Sequence, residues 1–172
     1  MAVEVSPLEM WASKAKSRTP ESFALVCCGD NPVIVIKSAE RRGDIGYVTV
    51  DTEDMKAVGE VQKSHVVILE GPKGDEPYRD YNFGRAPNND IVLPSDKVSK
   101  LHGKFRRRIQ QGSLVTLICD ASKNGTVVNG KVLTGADQEL SRHAEILVGG
   151  SQLDYYPPLE FYRFLQELAQ KK

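Results

Sequence analysis

From residue 65 onward the chain consists of short apolar runs: "HVVILE", "YNFGR", "DIVL", "HGKFRRRI", "SLVTLIC", "GTVVNGKVL" and "AEILVGG". Gly, Asn, Asp or Pro lies between them. Runs this short do not make the three or four turns of an ordinary helix, and their β-branched and aromatic residues suit a pleated surface. Many short strands with turn residues between them restrict the chain to a mainly β fold, a sandwich or a barrel. Three earlier runs, "FALVCC", "PVIVI" and "IGYVTV", are expected to add N-terminal strands, with turns at 29–32 ("GDNP") and 41–44 ("RRGD"). On such a strand the adjacent Cys27 and Cys28 would point to opposite faces.

Two segments have a helical character instead. Residues 7–17 place Leu8 and Trp11 on one side and open on a proline. Near the end, Pro157 and Pro158 precede a stretch in which Phe161, Phe164, Leu165 and Leu168 recur at helical spacing, with Lys171 and Lys172 favourably at its C-terminal end. The expected organisation is an N-terminal extension over 1–60, a main domain over 61–156 and a C-terminal helix over 157–172. The extension either folds separately or packs on the main domain.

The 172 residues carry 23 basic and 23 acidic side chains, so no global field draws the protein to nucleic acid or membrane. Locally, however, Lys97, Lys100, Lys104, Arg106, Arg107, Arg108, Lys123 and Lys131 stand against Asp120 alone, which points to a localised anion site. Within "KFRRR", Lys104, Arg106 and Arg108 would share one face of a strand, with Phe105, Arg107 and Ile109 on the other. A solvated sheet face accounts for that tract, and without an aromatic platform beside it nucleic acid is not the expected partner. Three cysteines in no C-x-x-C arrangement give neither a disulfide framework nor a zinc site, and suit a reducing compartment. With no signal-like or membrane-length apolar run, the expected location is cytoplasmic, with no membrane partner.

The polar information lies in four loops: "FGRAPNND", "SDKVSKLHGK", "DASKNGTVVNG" and "VGGSQ". Loops gather at the ends of a β domain, so Arg85, Ser99, Lys100, Lys123 and Asn124 are able to converge. Together they offer guanidinium, ammonium, hydroxyl and carboxamide donors, which is what a phosphate dianion needs. Blander uses exist for each. Arg85 suits a hairpin end, Ser99 a turn cap, and the Asn-Gly pairs tight turns with positive φ.

"FGR" at 83–85, "SKLH" at 99–102, "NGT" at 124–126 and "NG" at 129–130, in that order, resemble the forkhead-associated (FHA) domain pattern over about residues 62–160. The resemblance implies an FHA-type β-sandwich that binds phosphothreonine peptides with loops at one end. Carried over, it gives phosphate or peptide contacts to Arg85, Ser99 and Lys100, and peptide-backbone contacts to Asn124. Gly84, His102, Gly125, Thr126, Asn129 and Gly130 would shape the loops. After the second "NG" the family commonly has "GD"; here "LTGADQELSRHAEILVGG" departs from it, with His143 and Ala144 near that place.

Ser99 and His102 lie too close in sequence for a productive nucleophile–base pair on a strand-to-loop segment. There is no G-x-S-x-G elbow, no Walker loop and no paired carboxylate set, so no catalysis, cofactor or metal is expected. The expected partner is a phosphothreonine-containing protein or a Ser/Thr kinase in a signalling system. The alternative is an FHA-fold scaffold that holds an unphosphorylated protein through its sheet face or terminal extensions. Two further candidate ligands are internal, Thr19 in "KSRTPES" and Thr52 in "VDTEDM"; Thr19, phosphorylated on a flexible segment, would block the loops in cis.

Overall fold

A computed structural model describes residues 5–37, 64–133 and 137–170. The strand expected at 45–50, the turn at 41–44, Thr52, Lys171 and Lys172 lie outside these. In chain order the elements begin with β1 (Val5–Pro7), α1 (Leu8–Lys16), α2 (Pro20–Cys28), β2 (Val33–Lys37) and β3 (His65–Ile68). There follow β4 (Tyr78–Gly84), β5 (Ile91–Val92), β6 (Gly103–Gln110), β7 (Ser113–Asp120), β8 (Thr126–Val128) and β9 (Lys131–Val132). The last are β10 (Gln138–Glu139), β11 (Ala144–Val148), β12 (Ser151–Tyr156) and α3 (Pro158–Gln170).

The strands form two sheets, in the orders β1-β3-β2-β12-β11-β8-β9 and β10-β7-β6-β4-β5. The hairpin β6–β7 is paired in full register from Gly103↔Asp120 to Gln110↔Ser113. Its two turn residues, Gln111 and Gly112, both have positive φ (51° and 78°), the geometry that matches the twist of a tight hairpin. Between the sheets, Ile34, Val67, Ile146 and Leu153 meet Tyr81, Phe83, Phe105 and Ile118, giving a β-sandwich with N-terminal strands and a C-terminal helix. No helix among the described residues is long and apolar enough to cross a membrane.

The other face of the seven-stranded sheet is buried as well. Val33, Val35, Val66 and Tyr156 pack there against Leu8, Trp11, Phe23, Phe161 and Leu165 of the three helices. The helices are tied to one another: the Tyr162 hydroxyl donates to the Arg18 carbonyl at 2.8 Å, and Gln166 Nε2 donates to the Ala15 carbonyl at 3.1 Å.

The segment "FALVCC" is not a strand. It is the body of α2, which Thr19 caps by accepting the Ser22 N–H at 3.3 Å, with Pro20 opening the first turn. Gly29 ends it in the left-handed region (φ 57°), with Gly29 N–H on the Leu25 carbonyl at 3.1 Å and Asp30 N–H on the Ala24 carbonyl at 2.9 Å. The Gly29 bond is the 5→1 bond of an αL cap, and both bonds satisfy carbonyls of the last turns. Cys27 and Cys28 therefore sit on a helix, not on opposite faces of a strand. Three strands were not anticipated from the sequence: β1, β10 and, more consequentially, the central β12.

Within β6 the expected alternation holds. Lys104 and Arg106 lie on the outer face, where Asp80 takes Lys104 at 3.1 Å and Arg106 through two bonds of 2.6 and 2.8 Å. Burial alone would raise the Asp80 carboxyl, but these cations hold it below its ordinary range. Arg107 is buried, and donates at 2.7 Å to the Thr116 hydroxyl, which also accepts from Tyr155 at 3.1 Å. Much of the basic tract is thus taken up by the protein itself, which leaves less of it for nucleic acid.

Candidate functional site

Three loops meet at the end of the sandwich where β4 finishes and β6 begins. Gly84 permits the closest approach. A Cβ there would lie 2.5 Å from the Lys100 carbonyl oxygen and 2.9 Å from the His102 nitrogen. The 85–90 loop and the 94–102 loop are then stitched by backbone bonds, Arg85 N–H to Ser99 O at 2.9 Å and Ala86 N–H to Lys100 O at 3.1 Å. Asn89 adds to the seam, its Nδ2 donating at 2.7 Å to the carbonyls of both Ala86 and Lys100.

The 121–125 loop joins them as well. Lys123 N–H donates to Ser99 Oγ at 3.3 Å, and Asn124 Nδ2 donates to the Lys97 carbonyl at 3.3 Å. Arg85, Ser99, Lys100, Lys123 and Asn124 are thereby brought to one surface. Arg85, Lys100, Lys123 and Asn124 are exposed and Ser99 is half-buried. Arg85 Nε donates to the Val98 carbonyl at 3.3 Å, and its terminal nitrogens have no partner among the described residues. The Ser99 hydroxyl accepts a bond and keeps its own proton for another acceptor. Chemically, this surface gathers guanidinium, ammonium and hydroxyl donors.

His102 lies fully buried beneath the loops, its ring 6.1 Å from that of Phe83. Nδ1 accepts the Ser99 N–H at 3.1 Å, so in the neutral imidazole the proton is on Nε2, which donates to the Gly125 carbonyl at 3.3 Å. The ring joins two loops and has no bond to the Ser99 hydroxyl. Gly125 (φ 82°), Asn129 (φ 50°) and Gly130 (φ 77°) take left-handed turn conformations. Asn129 Oδ1 accepts the Glu145 N–H at 2.9 Å, and Thr126, fully buried, donates to Asp120 at 2.7 Å.

Burial holds the His102 pKa below its ordinary 6.5, more than the Gly125 carbonyl and Asp120 can offset. The unfolded chain therefore binds this proton more readily than the folded one. The stability it contributes is complete above the unfolded value and is lost as pH falls through and below about 6.5. Urea midpoints are expected to fall between about pH 7 and about pH 5, and His102→Gln, though less stable at every pH, should give a flatter profile. A variant with an unchanged slope would assign the pH dependence to other groups.

Some contributors could not be read from the sequence. Gly149 in "VGGSQ" has φ 55°, and a Cβ there would lie 2.6 Å from the Lys97 carbonyl, so the β11–β12 turn props the 94–102 loop from behind. Asn89 gave only the weak signal of tandem asparagines in "PNND". Thr19 is committed to capping α2 on the helical layer, not to a free segment near the loops. Among the described residues no cluster of His, Cys, Asp or Glu could hold a metal ion.

Residues 81–151 match the family model described as the FHA domain. No curated protein matches the sequence significantly. Among solved structures, the MEK1 FHA domain is similar at 14% identity, over 81% of this chain and 99% of that one, with a TM-score of 0.52; the likeness is one of fold. The FHA domain of the CT664 protein of Chlamydia trachomatis is 20% identical over 73% of this chain and 96% of its own, with a TM-score of 0.47. The yeast Dun1 FHA domain, described in complex with a doubly phosphorylated peptide from Rad53, is 16% identical over 73% and 74%, also with a TM-score of 0.47.

Proposed function

We propose that the chain is a non-catalytic phosphothreonine-peptide-binding module of a Ser/Thr-kinase-linked signalling system in the cytoplasm. Arg85, Ser99 and Lys100 take the phosphate in this reading, and Asn124 holds the peptide backbone beside it. Gly84, His102, Gly125, Thr126, Asn129 and Gly130 keep the loops in place. The observation that carries the reading is the interlocking of three loops that leaves the Arg85 guanidinium, the Lys100 ammonium and the Ser99 hydroxyl together and available.

Charge-assisted hydrogen bonds contribute about 1.5–3 kcal/mol each. Two or three of them separate a phosphopeptide from its plain counterpart by about a hundredfold or more. The threonine methyl adds about 0.8 kcal/mol, roughly a fourfold preference over phosphoserine unless a rigid pocket penalises the gap. Fluorescence anisotropy with phosphothreonine, phosphoserine and plain threonine libraries tests this. Binding is expected for phosphothreonine, with Arg85→Ala and Ser99→Ala each losing about tenfold or more. Equal binding of plain threonine peptides, or indifference to both variants, overturns the reading.

A second reading, a scaffold for an unphosphorylated protein, draws on Leu25 and Val26, adjacent on α2 and 69% and 66% exposed. It predicts binding that survives loss of Arg85 and fails in Leu25→Ser.

A further inference from the structure

We propose that the phosphopeptides this domain takes are those with anionic residues flanking the phosphothreonine, and that Lys97 and Lys123 are the residues that select them. The proposal rests on the phosphothreonine reading above and adds a substrate class to it.

Four cations stand exposed on the three loops: Arg85, Lys97, Lys100 and Lys123. Among the described residues none of them has a carboxylate partner within salt-bridge distance, whereas on the neighbouring sheet face Asp80 takes both Lys104 and Arg106. Asp96 is the exposed acid on these loops. Asp90 and Asp120 also lie at this end, but their carboxylates are turned to the Asn82 amide (2.8 Å) and the Thr126 hydroxyl (2.7 Å). The exposed rim therefore has four positive side chains against one negative, a surplus of three, and a phosphothreonine brings about two negative charges. With Arg85 and Lys100 on the phosphate, two lysines remain.

Those two are rooted beside the groups that hold the ligand. The Lys97 carbonyl accepts from Asn124 and the Lys123 N–H donates to Ser99 Oγ, so each lysine's main chain is bonded to a ligand-holding side chain. Lys97 is held further by its N–H on Ser95 Oγ at 3.3 Å and by the close approach of Gly149 behind it. Fixed main chains with long, unpaired side chains place the two ammonium groups within reach of residues to either side of the phosphothreonine. Lysine is a point charge without a bidentate fork, so either a carboxylate or a second phosphate satisfies it.

The test uses the full chain in anisotropy titrations at low salt and at about 0.5 M. Its probes are phosphothreonine peptides of one length with neutral, Asp/Glu-rich, doubly phosphorylated or Lys-rich flanks, and an unphosphorylated Asp/Glu-rich peptide. Anionic flanks are expected to bind about fivefold tighter than neutral ones, the gain two exposed ion pairs supply, and to lose most of that gain at high salt. Lys97→Gln with Lys123→Gln should bring the ratio of anionic to neutral flanks close to unity, whatever general loss of affinity the removal of two cations brings. The carboxylate and second-phosphate arms show which anion is preferred. Equal affinity for all flanks, or an unchanged ratio in the double variant, overturns the proposal with the phosphothreonine reading intact. If the unphosphorylated acidic peptide binds as tightly as its phosphorylated form, the phosphothreonine reading fails while the lysine pair keeps its role.

Discussion

Phe161→Ala is expected to lower the stability of the protein by about 3–5 kcal/mol, as a large aromatic removed from a closed core does. The side chain is fully buried, and its ring is a hub: Trp11 lies 5.7 Å away, Phe23 and Tyr156 6.0 Å and Phe164 6.3 Å. Those four rings come from α1, α2, β12 and α3. A cavity there loosens every contact by which the helices cover the seven-stranded sheet, and the surrounding rings are too large to collapse into it. Urea unfolding should show the loss, and amide exchange should quicken first in α1 and α3. Leu159→Ala is the control. Leu159 lies in the same helix but is 45% exposed, so its change should stay within about 0.5 kcal/mol. Equal effects of the two variants would mean that α3 contributes little to the fold.

This double burial of one sheet explains what the sequence made legible. On the five-stranded sheet, one face is partly solvated, so β6 alternates buried and half-buried positions from Gly103 to Arg108 and its faces can be assigned residue by residue. Val33, Ile34 and Val35 are buried in succession on β2, because helices cover one face and the second sheet the other. That run reads as a strand without saying which residue points where. β12 is harder still. "SQLDYY" carries an aspartate at its centre, fully buried, and only the pairing of β12 with β2 brings Lys37 to within 2.6 Å of it. Neither residue announces that partnership locally.

"FALVCC" reads as a strand and folds as a helix for a related reason. Its buried residues are Phe23, Ala24 and Cys28, while Leu25 and Val26 are exposed, so composition suggests a strand and no clear helical stripe contradicts it. The decisive signals were at the ends, Thr19-Pro20 as an N-terminal cap and Gly29 as a C-terminal one. At the loops the situation is reversed. Residue types offered Arg85, Ser99, Lys100, Lys123 and Asn124 as donors able to converge, and the resemblance to the FHA pattern gave four of them their expected roles. The support that Asn89 and Gly149 give depends on how the loops pack, and spacing does not encode that.

Gly84→Ala tests that support directly. It is expected to cost about 1–3 kcal/mol in stability, the range for overpacking a tight site, and to reduce phosphothreonine-peptide affinity by about tenfold or more. The three nearest atoms to a Cβ at this position are the Lys100 oxygen at 2.5 Å, the His102 nitrogen at 2.9 Å and the Leu101 Cα at 3.0 Å. All belong to the main chain, so no side-chain rotation relieves the contact and the 99–102 segment has to move. Two bonds flank the clash, His102 N–H to Phe83 O and Arg85 N–H to Ser99 O, both 2.9 Å. Displacing the segment strains both, and with them the positions of Ser99 and Lys100 relative to Arg85. At Gly71 the outcome should differ. A Cβ there meets Leu114 Cδ2 at 2.9 Å, the far end of an exposed side chain that is able to turn away, so Gly71→Ala should be close to neutral in both assays. A Gly84→Ala protein that unfolds normally yet binds poorly would separate loop position from loop chemistry, since the variant keeps every proposed contact residue and changes only where two of them stand. Normal binding by that variant would mean that the contacts tolerate displacement of the loop that carries them.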